Sequence, residues 1–275
     1  MTSAHPVLGW DIGGVNTKAV RVRLRNGTVP ELESATLPFE IQHEPAALAD
    51  TLRRLAERLG RAEGWAHAVT MTAELSQAFR TKREGVAAVL DGVLAAFPSE
   101  LVWVFTVDGR FVTPDEARRV PLEVGASNWV ATATLAARLT PNAILIDIGT
   151  TSTDIIPIAA GMVAARGRTD PARLSTGELV YTGAVRTPVE AIVREVPLWD
   201  GRATVSAEGF ATAGDAHVWL GALTPEDYTA PTSDRRPATR DAAGERLARV
   251  VCADRDLLDE QAIDRIARAV VEAQA

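Results

Sequence analysis

With 275 residues, 47% of them hydrophobic, the chain holds enough apolar material for one large core or two ordinary ones. A formal net charge of −7 with scattered Lys and Arg argues against an extended nucleic-acid surface. The single cysteine, Cys252, excludes an internal disulfide and a cysteine-built zinc cage, and Asp11 interrupts any apolar leader almost at once.

In chain order, residues 7–12, 18–25 and 32–38 read as three strands of an antiparallel meander, turned at Gly13-Gly14 and Asn26-Gly27. Asn26-Gly27-Thr28 also fits a glycosylation sequon, which in a cytosolic chain is only a hairpin turn. Pro45 starts a helix running to about Leu59, residues 66–71 form a buried strand, 82–96 a helix stopped by Pro98, and Leu101 to Phe105 another strand. The Ala- and Thr-rich helix from Ser127 to Leu139, ended by Pro141-Asn142, reads as the passage between a first domain (1–140) and a second (141–275), with room for the last helices to cross back. The second half restarts the pattern with a strand at 143–148, a glycine turn, a strand at 153–158, and a hairpin through Ala160-Gly161 to a strand at 162–166. An irregular stretch from Thr176 to Thr187 follows, then a hairpin through Asp200-Gly201 and helices near 214–221, 240–253 and 259–273. The polar, proline-rich segment 224–240 is either a lid or an exposed excursion, and Cys252 reads as a core residue.

Two segments share one layout: Gly9-Trp10-Asp11-Ile12-Gly13-Gly14-Val15-Asn16-Thr17-Lys18 and Ile146-Asp147-Ile148-Gly149-Thr150-Thr151-Ser152-Thr153-Asp154. Each is a strand that delivers an aspartate to a glycine turn, followed by small hydroxyl or amide residues. Glycines let backbone approach an anion and adopt positive φ, freed N–H groups can point at phosphate oxygens, and an aspartate can hold a Mg²⁺ that neutralises them. Candidate phosphate-binding residues are therefore Gly13, Gly14, Asn16, Thr17 and Lys18 in the first copy and Gly149, Thr150, Thr151 and Ser152 in the second. Asp11 and Asp147 are expected to face each other across a cleft as metal or water ligands. Lys18 either reaches a phosphate or is a solvated strand lysine, and Asp154 is either a further metal carboxylate or a partner that fixes the Thr loop. The bland alternative is a pair of structural turns in a duplicated fold.

Other chemical signatures are missing: there is no Gly-x-Ser-x-Gly elbow, no His-Glu-x-x-His and no Walker-type loop. His5, His43, His67 and His217 lack metal-ligand spacing, whereas Trp10 and Trp129 sit beside motif segments and could wall an aromatic substrate.

The repeated motif resembles the superfamily of acetate and sugar kinases, heat-shock chaperones and actin, which implies an α/β fold of two ribonuclease-H-like domains around a cleft. Within it the chain is most similar to the hydantoinase A/oxoprolinase family, on Met71-Thr72-Ala73-Glu74-Leu75, Lys82-Arg83-Glu84-Gly85-Val86, Ser127-Asn128-Trp129 and the run from Gly177 to Val189. Its length resembles a short branch linked to tetrahydromethanopterin-dependent one-carbon metabolism and methanofuran biosynthesis. That resemblance implies a transferase in which a phenol oxygen of a tyramine derivative attacks a furanmethyl diphosphate, with Mg²⁺ as cofactor and small molecules as partners. Kinases of the superfamily carry a third glycine-rich segment for adenosine, and here only Gly209 and Ala213-Gly214-Asp215 offer weak counterparts. An ATP-dependent kinase or amidohydrolase, and a non-catalytic descendant, stay open as alternatives.

A phenol of ordinary pKa ~10 benefits from a base, and Glu74 and Glu178 are the candidates, each with a capping or surface role as its alternative. Lys82 and Arg83 either contact anion or substrate or form a solvated helix start. Neither nucleic acid nor membrane is expected as a partner, the cytoplasm is the expected compartment, and a homo-oligomer is left open.

Overall fold

The computed structural model describes residues 7–23, 31–60 and 64–275; His5 and the turn expected at Asn26-Gly27 lie outside them. The chain divides into two compact units, Met1–Ala143 with Pro157–Asp170, and Ile144–Ile156 with Pro171–Ala275. Residues 157–170 thus return to the first unit rather than continuing the second half. The reason is local: the Gly161 amide donates to Pro141 O at 2.8 Å, and the Ala160 amide donates to Asn142 Oδ1 at 3.0 Å.

The strands are β1 (Val7–Ile12), β2 (Asn16–Arg23), β3 (Glu31–Pro38), β4 (Ala66–Met71), β5 (Leu101–Phe105), β6 (Phe111–Val112), β7 (Ala143–Ile148), β8 (Thr153–Ala159), β9 (Met162–Val163), β10 (Leu179–Val180), β11 (Glu195–Leu198) and β12 (Gly201–Thr204). The helices are α1 (Leu48–Arg58), α2 (Lys82–Ala96), α3 (Pro114–Arg119), α4 (Pro121–Val124), α5 (Asn128–Leu139), α6 (Asp170–Thr176), α7 (Val189–Ile192), α8 (Ala213–Trp219), α9 (Arg240–Arg249) and α10 (Glu260–Gln274).

In the first unit six strands run in the order β3-β2-β1-β4-β5-β6, with β1 antiparallel to β2 and parallel to β4. Alternation sorts the side chains: Leu8, Trp10 and Ile12 of β1 and His67, Val69 and Met71 of β4 are buried in a core shared with α1 and α2. The α1 stripe Leu48, Leu52, Leu55 and Ala56 recurs at helical spacing and is fully covered, at ~1.5–3 kcal/mol for each large side chain. At the head of α2, Thr81 Oγ1 accepts from the Glu84 amide at 3.1 Å, and Glu84 Oε2 accepts from the Arg80 amide at 3.0 Å. Because parallel β1 and β4 end side by side, the turns that follow them open at one edge of the sheet.

The second sheet runs β10-β8-β7, with β9 also paired to β8. Strand β7 forms its edge, and Ile144, Ile146 and Ile148 are 69%, 58% and 64% exposed. Helices α8, α9 and α10 enclose a separate core of Trp219, Leu247, Ile263 and Ile266. Two expectations are corrected here. The β11–β12 turn is Trp199-Asp200, because Leu198 pairs with Gly201, and Trp199 takes a left-handed φ of 48°. Cys252 is exposed at φ 58°, since α9 already ends at Arg249 and the chain turns outward there.

The segment 224–240 is fastened rather than loose. Tyr228 lies under α8, with its hydroxyl 2.8 Å from Thr212 Oγ1, and Ser233 Oγ donates to Phe210 O at 2.6 Å. The fully buried Arg246 guanidinium donates to Asp215 Oδ1 at 2.9 Å and to Asp234 Oδ1 at 3.1 Å. Burial raises the Asp215 pKa, while Arg246 works against that rise. Among the described residues, no helix is long and apolar enough to cross a membrane.

Candidate active site

The two glycine turns share one hydrogen bond. The Gly13 amide donates to Asn16 O at 3.0 Å, and the Gly149 amide donates to Ser152 O at 2.8 Å. Gly13, Gly14 and Gly149 all lack positive φ, so the expected left-handed backbone is absent and the first glycine serves close approach instead. A Cβ at Gly13 would lie 2.7 Å from Asn16 O, whereas at Gly14 it would meet open space. Each turn is braced by a second segment: Phe39 and Ile41 amides donate to Val15 O and Gly14 O, and Ala184, Val185 and Arg186 amides donate to Gly149 O and Thr150 O. The amides of Gly14, Val15, Thr150 and Thr151 donate to nothing among the described residues. Unpaired amides on a turn are the donor type from which anion-binding concavities are built.

Asp11, on the sheet face away from the core, stands opposite Lys18 in the strand register, with Oδ2 3.6 Å from the Lys18 ammonium. Thr17 is turned the other way and is fully buried with Oγ1 unpartnered among the described residues, so it lies inside the core rather than on the anion side. Asn16 is half-buried at the start of β2. In the second copy, Asp147 and Gly149 are exposed, and the Thr150, Thr151 and Ser152 hydroxyls are half-buried without hydrogen bonds among the described residues. Asp154 Oδ1 accepts from the buried Arg173 guanidinium at 2.7 Å, and Arg173 also donates to Glu178 O at 2.8 Å. Of the two roles left open for Asp154, this geometry is that of a loop-fixing partner.

At the end of β4 three separate motif segments converge on one carboxyl. Glu74 is 1% exposed, and it sits between α2 and the turn at Gly125, which bridges in register to Met71. Two glycines make the room: a Cβ at Gly85 would lie 2.1 Å from Glu74 O, and one at Gly125 would lie 3.1 Å from Glu74 Oε1. Glu74 Oε1 is 3.4 Å from Lys82 Nζ, and Oε2 is buried without a partner among the described residues, as is Ser127 Oγ just beyond Gly125. Burial raises the Glu74 pKa, with the Lys82 charge opposing it. Lys82 itself donates to Asp170 Oδ2 at 2.7 Å, whereas Arg83 is exposed. Burial acts to lower the Lys82 pKa, yet Asp170 and Glu74 hold it raised. Glu178 is also buried, but its carboxylate accepts from Thr176 Oγ1 at 2.9 Å and its backbone ties α6 to β8.

The remaining aromatic and histidine candidates are structural. Trp10 Nε1 donates to His67 Nδ1 at 3.0 Å, which leaves His67 Nε2–H to face Glu100 Oε2 at 2.7 Å, all against Phe97. Trp129 is buried, His43 is beside Glu40 on the surface, and His217 meets Gln274. Sequence reasoning missed Asp170, whose only local signal is its place at the head of α6 before Pro171. A pocket of about 560 Å³ in the first unit is lined by Asp11 and Lys18 at the strand ends, by Phe105 and Phe111, and by Leu135 and Arg138 of α5.

The hydantoinase/oxoprolinase family model matches residues 66–275. The chain is 37% identical over 260 residues to a protein of Methanocaldococcus jannaschii, covering 94% of this chain and 75% of that relative, which is named (4-{4-[2-(gamma-L-glutamylamino)ethyl]phenoxymethyl}furan-2-yl)methanamine synthase. A Methanococcus vannielii protein of the same name is 41% identical over 113 residues, 41% of this chain and 50% of that one. Among solved structures, nucleotide-free acetone carboxylase is similar with a TM-score of 0.55 at 12% identity, over 98% of this chain and 61% of that chain. The fold is accordingly the α/β fold of the actin-like ATPases.

Proposed function

The chain belongs to the hydantoinase/oxoprolinase family, and from that membership we propose that it is a transferase joining a furanmethyl diphosphate to the phenol oxygen of a tyramine-type amine, in the biosynthesis of a methanofuran-type cofactor. The observation that carries this reading is the 37% identity, over 94% of the chain, to a synthase whose named product contains that phenoxymethyl-furan ether.

The chemistry suits the residues. The phenol oxygen bonds to the furanmethyl carbon, the carbon–oxygen bond to diphosphate breaks, and its electron pair leaves with the diphosphate. The free amides of the Gly13 turn, and separately those of the Gly149 turn, are each of a kind suited to a phosphate's charge, and leaving-group stabilisation is the main catalytic contribution in this reading. Asp11 precedes the first turn and Asp147 the second, and each offers carboxylate oxygen, a donor type that fits Mg²⁺, which when bound would neutralise phosphate charge. Glu74, with a buried free oxygen, takes the phenol proton as the ether forms. Glu178 is the weaker candidate because its carboxylate and backbone already hold local structure.

The two weak counterparts of an adenosine-binding segment, Gly214 and Gly209, are both engaged by the chain's own side chains, which is why this reading prefers a diphosphate ester to ATP. A Cβ at Gly214 would lie 2.5 Å from the Tyr228 ring, and the Gly209 amide donates to Glu190 Oε1 at 2.9 Å. The reading is tested by incubating the protein with a furanmethyl diphosphate, tyramine or γ-glutamyltyramine, and Mg²⁺, without ATP. Mass detection of the ether supports it. Turnover that appears only with ATP overturns it.

A further inference from the structure

The ammonium of Lys82 is shared unequally between two carboxylates. It lies 2.7 Å from Asp170 Oδ2, at hydrogen-bond length, and 3.4 Å from Glu74 Oε1. Asp170 is the last residue of the first unit before the chain passes into the second, 88 positions from Lys82. We propose that Asp170 and Lys82 are positioning residues for Glu74: Asp170 holds the ammonium back from Glu74, which keeps one carboxylate oxygen free to accept the substrate's proton. The inference rests on Glu74 as the base in the reaction proposed above.

Three observations support it. Glu74 cannot turn away from Lys82, because Gly85 and Gly125 close on its backbone and side chain. Its Oε2 is buried and free of any partner among the described residues, which suits it to a hydroxyl donor brought by a ligand. The charged groups that face it are Lys82 from α2 and Asp170 from the head of α6. The Gly125 turn adds none, since Glu123 points instead to Arg110 at 3.1 Å.

Removing the hold and removing the cation therefore have opposite effects on Glu74. In Asp170→Asn the ammonium closes fully on Glu74, so the carboxyl loses its proton at lower pH and becomes a weaker base. In Lys82→Met it loses its cation and ionises at higher pH. The test is the pH profile of kcat for wild type, Asp170→Asn and Lys82→Met, with Asp170→Glu and Lys82→Arg as conservative rescues. Infrared titration of the Glu74 carboxyl is measured in parallel on the substrate-free proteins, using Glu74→Gln for subtraction. The proposal expects the acidic limb and the infrared midpoint to move down in Asp170→Asn, up in Lys82→Met, and back toward wild type in the rescues. Shifts in one direction for both variants, or no shift, overturn it. If wild type makes no ether, the proposed reaction fails, and the infrared titration still decides the arrangement of these three residues.

Discussion

The Gly13 amide donates to the Asn16 carbonyl at 3.0 Å, so close that a side chain at position 13 would collide with that oxygen, while position 14 next to it faces open space. The two adjacent glycines therefore do different work. Gly13→Ala forces an overpacked turn and should cost about 1–3 kcal/mol of stability. Gly14→Ala should leave stability within about 0.5 kcal/mol of wild type and weaken diphosphate binding, because its methyl enters the space in front of the free amides. Chemical denaturation and calorimetry with diphosphate and Mg²⁺ separate the two.

Asp11 is the last but one residue of β1, just before its turn, and Asp147 stands at the matching place in β7. Asp11→Asn and Asp147→Asn should each reduce turnover by at least two orders of magnitude, with unchanged circular dichroism, since a neutral amide neither holds a cation nor complements the site's charge. Full activity in both would remove the carboxylates from the mechanism.

A buried Glu74 costs stability whenever it is ionised. Its pKa in the folded protein is raised from 4.5 by burial, so the folded state binds that proton more tightly than the unfolded one. Stability is therefore lost as pH rises from about 4.5 through the raised value, and the loss is complete above it. Glu74→Gln should melt higher than wild type at pH 8, by about 2–4 °C for each kcal/mol regained, and the gap should close near pH 4. Activity should fall in the same variant, which makes Glu74 a residue kept for function at the expense of stability.

Much of the first unit was legible because short-range pattern decides it. The alternation in 7–12 and 66–71, and a helix bounded by Thr81 and Phe97-Pro98, appear in the structure as β1, β4 and α2. The matching glycine turns were legible for the same reason, since each is closed by a bond spanning three residues. Long-range partners were not. Glu74 looks like an ordinary helix-start acid until Gly125 closes over it, and the 224–240 segment looks like free loop until Arg246 pairs with Asp234. The turn at Trp199 was misplaced by one residue because Asp-Gly is the commoner turn signal, yet strand register put Gly201 in the ladder.

Arg246 and Asp215 are both fully buried, and Asp234 joins them from the 224–240 segment. Removing one member leaves a charge buried without its partner, so Arg246→Ala should cost about 3–5 kcal/mol. Limited proteolysis should then cut within 224–240, where the wild-type protein is expected to stay intact. A wild-type cleavage pattern in Arg246→Ala would contradict the fastening role.

Tyr228 is one of two tyrosines in the chain, and burial beside Asp215 pushes its pKa up to about 12. The folded state thus keeps the phenol neutral where the unfolded chain ionises it, so stability falls as pH rises above about 10. Ultraviolet titration should show this phenol ionising only near pH 12, and Tyr228→Phe should remove that step.

The most direct measurement follows phosphorus by NMR while the protein acts on a furanmethyl diphosphate and γ-glutamyltyramine with Mg²⁺. The account predicts one diphosphate released for each ether formed, with no effect of added ATP. Inorganic phosphate as the product, or a strict requirement for ATP, would contradict it.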